Sequence, residues 1–177
     1  MQMPTLPHPT RCHRRRAQAG FTLVELVTVI LILGVLAAVA MPRYSDLQRS
    51  ARASKVRGVF GAVKAASALV KVTALTDGVS CAAGTGTNVS LEGKTIALNF
   101  CHAQALGVFG TGIFAAANVD SDDNWVVDGT NAGGATGGTL VQINLGDATT
   151  PASCSVRYTS AASATSPPVI EADTSGC

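Results

Sequence analysis

Two periodicities divide the chain. From Phe21 to Met41, 17 of 21 positions are apolar, and the exceptions are Thr22, Glu25, Thr28 and Gly34. A helix over this stretch is apolar all round and roughly 31 Å long, about the thickness of a bilayer hydrocarbon core. Gly34 and Pro42 are the expected bend positions. Pro42 lacks a backbone donor and crowds the preceding turn. Beyond it Val56, Val59, Phe60, Val63, Ala66 and Val70 recur at helical spacing, with Arg52, Lys55, Arg57, Lys64 and Lys71 between them. One helix from about Thr22 to Leu75 is predicted, roughly 80 Å long at the standard rise and ended by Asp77-Gly78.

After Gly78 the period becomes two. Leu91 and Thr95–Leu98 flank Glu92-Gly93, a hairpin signal, while Val141, Ile143 and Leu145 alternate with Gln142 and Asn144. Cys154, Val156 and Tyr158 alternate with Ser155, Arg157 and Thr159. With Trp125-Val126-Val127 and Val169-Ile170 these predict one antiparallel sheet of four or so strands, laid on the amphipathic half of the helix. Gly133–Gly138 and Ser160–Pro168 read as loops. The expected class is α+β, with a long N-terminal helix and a small sheet. The expected organisation is a leader (1–20), an apolar helix half (21–41), an amphipathic half (42–76) and a β-rich head (77–177).

Composition narrows the functions. With 177 residues and 14% charged positions, the chain is not disordered through excess charge, and few aromatics and many small residues suit a small core. The net charge of +2 hides an asymmetry. Residues 1–20 hold four arginines and no acid; residues 42–75 hold seven cations against Asp46 alone; residues 76–177 hold nine acids against Lys94 and Arg157. A nucleic-acid binder would be more uniformly basic. The split would let copies of the chain, were they stacked, set basic helix flanks such as Arg49, Arg52, Lys55 and Arg57 near acidic loops such as Asp120–Asp128.

Little points to catalysis. His8 and His13 lie in the leader, so a Ser/His/acid site would rest on His102 alone, expected at the surface or half buried beside Cys101. Gly84-Thr85-Gly86 and Gly107–Gly112 lack the Gly-Lys-Ser/Thr ending of a phosphate cradle. Asp120, Asp122, Asn124 and Asp128 begin like a calcium loop, but Trp125 replaces the turn glycine and no closing Glu follows. A solvated acidic loop is the simpler reading, and no metal, cofactor or enzyme activity is expected. Cys12 lies in the arginine-rich N-terminal segment, and beyond it are four cysteines: Cys81, Cys101, Cys154 and Cys177. Without a Cys-x-x-Cys pair they point to two disulfides in an oxidising compartment, with three connectivities open. The sequence-local pairs Cys81–Cys101 and Cys154–Cys177 are preferred; each closes a loop of about twenty residues and is worth roughly 3 kcal/mol in the chain-entropy model.

The apolar segment has three readings. Ala38-Val39-Ala40 resembles a secretory cleavage site, but the run is longer than such a core and carries a carboxylate. A plain single-pass anchor is the second. The third starts from Gly20-Phe21-Thr22-Leu23-Val24-Glu25, where an arginine-rich leader ends in Gly and one Glu follows inside the helix. That motif resembles the prepilin signal of type IV pilins, and the likeness runs through Pro42 over about residues 14–60. Ala51-Arg52-Ala53 and Thr174-Ser175-Gly176-Cys177 resemble the mannose-sensitive haemagglutinin class of pilin.

The resemblance implies specific roles. A prepilin peptidase cuts between Gly20 and Phe21, and Phe21 is N-methylated. Glu25 then pairs with the cationic N-terminus of a neighbouring subunit and sets the filament register, since a buried carboxylate and ammonium are tolerated together far better than apart. The implied function is a structural subunit of an extracellular filament serving adhesion or motility, anchored beforehand in the bacterial inner membrane with its head in the periplasm. Implied partners are other pilin subunits, the peptidase and the inner-membrane assembly machinery. The Cys154–Cys177 loop resembles the disulfide-bounded C-terminal region of these pilins. Two alternatives stand beside it: a pseudopilin of a type II secretion system, which shares leader and helix, and a secreted binding domain behind an ordinary signal peptide.

Overall fold

The computed structural model describes Gly20–Cys177 apart from Ala83; the leader arginines, Cys12, His8 and His13 lie outside the described residues. Helix α1 runs Leu23–Thr76 and passes through Pro42 without interruption. Eight strands follow: β1 (Thr87–Leu91), β2 (Lys94–Asn99), β3 (His102–Ala103), β4 (Ala105–Leu106), β5 (Trp125–Gly134), β6 (Leu140–Leu145), β7 (Ser155–Thr159) and β8 (Val169–Asp173). A five-residue helix α2 (Gly112–Ala116) and two 3-10 turns, Ser121–Asp123 and Pro151–Ser153, complete the elements. The chain divides into two units, residues 1–43 and 44–177.

In the first unit the apolar run is exposed among the described residues. Phe21 is 93% exposed, and Leu23, Leu31, Leu36 and Met41 are all exposed. Among the described residues this is the one helix long and apolar enough to cross a membrane.

The second unit has its own core. The part of α1 within it buries Val56, Val63, Ala66, Val70 and Ala74, a stripe at helical spacing. Ile96, Leu98, Ile113, Phe114, Val141, Ile143, Val156 and Tyr158 join the same cluster. Val59 and Phe60 are only partly buried, at the edge of the stripe. The solvent side of this helix segment is uncharged: Leu47, Ala51, Gly58, Ala62, Leu69 and Val72 are exposed along it.

The strands form two sheets, not the single one expected. One has the order β1-β2-β3 and the other β4-β5-β6-β7-β8, every pairing antiparallel between sequence neighbours. Strands β3 and β4 are two residues each, too short to leave a periodic signal. The β1–β2 hairpin turns at Glu92-Gly93, where φ is 49° and 80°; two positive angles mark the turn whose twist matches the flanking strands. The expected Gly133–Gly138 loop begins later, because Gly133 and Gly134 complete β5 and pair with Leu106 and Ala105. A Cβ on Gly133 would stand 1.9 Å from the Ala105 carbonyl oxygen, so only glycine permits that pairing. Residues 160–168 hold no strand or helix, as expected for a loop.

Candidate assembly site

Glu25 occupies a local arrangement that the family resemblance alone did not reveal. Thr22 precedes the first turn of α1, and the Thr22 amide and hydroxyl both donate to Glu25 Oε2 at 2.8 Å. The Glu25 amide donates back to Thr22 Oγ1 at 3.2 Å. This reciprocal pair is a capping box, satisfying two of the amides a helix start leaves unpartnered. Its signal, Thr-x-x-Glu ahead of an apolar run, was legible in the sequence. The box holds the carboxylate one turn from Phe21 and uses only Oε2, and Gly20 and Phe21 are exposed beside it.

The second unit holds the disulfides. Cys81 joins Cys101 and Cys154 joins Cys177, each pair with Cα atoms 4.9 Å apart. The second bridge fastens the last strand's exit against the turn at Pro151–Ser153: the Thr150 amide donates to the Gly176 carbonyl and the Gly176 amide to the Ser153 carbonyl, both at 2.9 Å. Asp173 accepts from the Ser175 amide and hydroxyl, which hold its carboxyl below the usual carboxylate range.

Two of the four calcium candidates, Asp120 and Asp128, have their carboxylates engaged within the chain. Asp120 Oδ1 caps the Ser121–Asp123 turn by accepting the Asp122 amide, and Asn124 ends that turn at φ 64°. Asp128 Oδ1 accepts from the Thr130 hydroxyl and amide, which lower its pKa, while Asn144 donates to Oδ2. Asp128 thereby organises the bulge that shifts the β5–β6 register between Val127 and Ala132. Among the described residues no group of three or more His, Cys, Asp or Glu side chains is placed to hold a metal.

His102 departs from its expected half-exposed position: it is 5% exposed, on β3. Burial first, and the nearby Lys71 charge second, push its imidazole toward the neutral form. Its Nδ1 has no hydrogen-bond partner. An enclosed imidazole held toward its neutral form is placed as a core residue. Asn88, the first residue of the Asn88-Val89-Ser90 glycosylation sequon, is exposed on β1.

The basic flank of α1 is partly used within the subunit. Arg52 pairs with Asp147 at 3.7 Å and donates to the Cys177 carbonyl. The Lys55 ammonium donates to the Asp123 carbonyl and stands over the Trp125 ring, 5.9 Å from its centre. Two of the four cations expected to face other copies therefore hold the head's own loops. The periodicity that marked them as a polar flank gave no indication of which long-range loops fold back to meet them.

Comparison with known proteins adds the family evidence. Residues 15–41 match the prokaryotic N-terminal methylation motif. The chain is 48% identical over 50 residues to a type IV major alpha-pilin of Moraxella bovis, covering 28% of this chain and 31% of that relative. It is 33% identical over 119 residues to the type IV major fimbrial protein FimA of Dichelobacter nodosus, covering 67% of this chain and 76% of that relative. A type II secretion system core protein G of Pseudomonas aeruginosa is 37% identical over 59 residues, covering 33% of this chain and 42% of that relative. The chain thus spans about a third of the Moraxella pilin but three quarters of the Dichelobacter protein. No solved structure matches it.

Proposed function

Because the chain belongs to the type IV pilin family, we propose that its mature form, Phe21 to Cys177, polymerises as a structural subunit of an extracellular type IV pilus. The observation that carries this is the apolar half of α1. From Phe21 to Met41 it is exposed among the described residues, and lipid or other copies would bury it. Exposed apolar surface on that scale is incompatible with a solitary soluble domain. The helix first anchors the subunit in the inner membrane, and the same surface then packs among its copies in the filament.

Peptidase cleavage after Gly20 frees the Phe21 amine, which is then methylated and keeps its positive charge. The capping box presents Glu25 to the ammonium of a neighbouring copy, with Oε1 not engaged by Thr22. A carboxylate in an apolar bundle costs several kcal/mol unless paired, so the register that pairs it is favoured over its slips. The contact is repeated head to tail and does not close, which makes a fibre. The chemistry is assembly, and adhesion or motility is its use.

The pseudopilin reading has one observation in its favour, the match to the secretion-system core protein. Coverage of three quarters of a major fimbrial protein favours the pilus. Two measurements test the proposal. Sheared surface filaments should contain this chain starting at methylated Phe21, and Gly20→Val should accumulate uncut precursor in the membrane fraction. A start at Met41 would instead establish a secreted domain. Loss of secretion with intact surface filaments in cells lacking the chain would establish the pseudopilin.

A further inference from the structure

We propose that a cationic column on α1, Arg57, Lys64 and Lys71, receives the acidic turn Asp120–Asp123 of a second copy. The inference rests on the pilin reading, that copies of this chain pack side by side, and names the surfaces that meet.

The column follows from helix geometry. Its members are seven residues apart, which rotates each by only about 20° from the last and spaces them about 10.5 Å along the axis. All three are exposed, and they border the uncharged face that carries Gly58, Ala62, Leu69 and Val72. None is in an ion pair; the one ion pair among the described residues is Arg52–Asp147. Arg57 lines a groove with Phe60 and β8, where Glu171 is in no ion pair with the column and Asp173 is already occupied by Ser175. Three cations in one row repel one another, and the repulsion grows when the adjoining apolar face is covered and water leaves. Covering that face with another copy therefore calls for anionic groups along its border.

The acidic turn meets that need. Asp120, Asp122 and Asp123 are exposed, three carboxylates in four residues, with no cationic side chain in an ion pair with them. The turn is already shaped: Asp120 caps it, and Lys55 fastens it through the Asp123 backbone carbonyl, leaving the carboxylates outward.

The two surfaces lie on opposite flanks of the second unit. Lys55, which touches the turn, and Lys64, the middle of the column, are nine residues apart, half a revolution around the helix. The sheet agrees. The turn leads into β5, toward one end of the order β4-β5-β6-β7-β8, while Arg57 lines a groove with β8, the edge strand at the other end. One subunit therefore cannot pair its own column with its own turn. Complementary patches on opposite flanks make a heterologous contact that propagates from copy to copy, the kind a fibre requires.

The test uses sheared wild-type filaments and a zero-length carbodiimide, which joins an ammonium to a carboxylate only at ion-pair range. We expect a species of twice the subunit mass in which a Lys64 or Lys71 peptide is joined to the Asp120–Asp123 peptide. Lys64→Glu with Lys71→Glu should lower filament yield about fivefold or more at low ionic strength. The gap should narrow near 1 M salt, where the screening length is about 3 Å. Adding Asp122→Lys and Asp123→Lys in the same chain should restore the yield. Filaments whose Lys64 and Lys71 join only other carboxylates, or none, overturn the inference while leaving the pilin reading intact. A charge swap without rescue also overturns it. A wild-type chain absent from surface filaments refutes the pilin reading itself.

Discussion

Tyr158→Phe isolates one hydrogen bond that ties the two sheets of the head together. Tyr158 is fully buried on β7, and its hydroxyl donates to the Ala103 carbonyl on β3 at 2.8 Å. Ser67, 6% exposed on α1, lies beside the same hydroxyl. The bond links the five-stranded sheet to the three-stranded one. Phenylalanine keeps the ring and its packing, so no cavity of the kind that costs several kcal/mol is created. What is lost is a buried bond, together with the solvation owed to the Ala103 carbonyl left behind. That places the cost at about 2 kcal/mol, within a range of about 1–3. For a unit of this size it corresponds to a melting temperature lowered by about 6–10 °C.

Trp125 is the chain's one tryptophan and is buried, so its emission reports head unfolding directly. Guanidinium titration of the full chain in mild detergent, which covers the apolar helix half, gives the free-energy difference. Tyr44→Phe, at an exposed position, is the control and should stay within about 0.5 kcal/mol of wild type. A second readout follows from ionisation. Burial raises the Tyr158 pKa above its ordinary 10.0. Above pH 10 the unfolded chain loses a proton that the folded chain keeps, so wild-type stability falls with pH through this group. Phenylalanine has no such group, and the gap between variant and wild type should shrink as pH rises past 10. A variant as stable as wild type at pH 7, with the same alkaline profile, would refute the assignment of Tyr158 as the link.

Glu25→Ala should be inserted and processed normally, since removing a charge eases membrane burial, yet filament yield should collapse; abundant regular filaments would refute its role in register. Replacing both Cys154 and Cys177 with serine should cost roughly 3 kcal/mol of head stability and open the segment after β8 to protease, with leader cleavage unchanged; equal protease resistance would show that the backbone bonds at Thr150 and Gly176 suffice. His102 is held neutral in the fold, below its ordinary pKa of 6.5. The unfolded chain gains a proton below 6.5 that the folded chain refuses, so stability should decline as pH falls from about 6.5 toward 5. Asp128 and Asp173, lowered in the fold, matter only at more acidic pH. His102→Gln should flatten that decline, and an unchanged slope would show that another group carries it.

Some features of this protein are local, and the sequence alone determines them. The apolar run Phe21–Met41 and the stripe from Val56 to Val70 each require a helix of one character, because a face of fixed period must be buried on something. The end of α1 at Thr76, beside Asp77-Gly78, and the hairpin at Glu92-Gly93 are likewise set by backbone preferences within a few residues. The motif that contains Gly20-Phe21 and Glu25 is contiguous and so legible too, and the capping box that holds Glu25 spans only four residues. Tertiary structure decided what depends on partners distant in sequence. Strands β3 and β4 have two residues each, and they exist only because β2 and β5 offer edges to pair with. His102 is buried because β3 is covered, not because of anything beside it in the chain. The basic flank shows the division most clearly. Periodicity placed Arg52, Lys55, Arg57 and Lys64 on polar positions of one helix. Only the fold brought Asp147 to Arg52 and Asp123 to Lys55, because such pairings join residues about 70 to 95 positions apart. No local preference encodes which loop returns to which side of a helix; the shared core between them does.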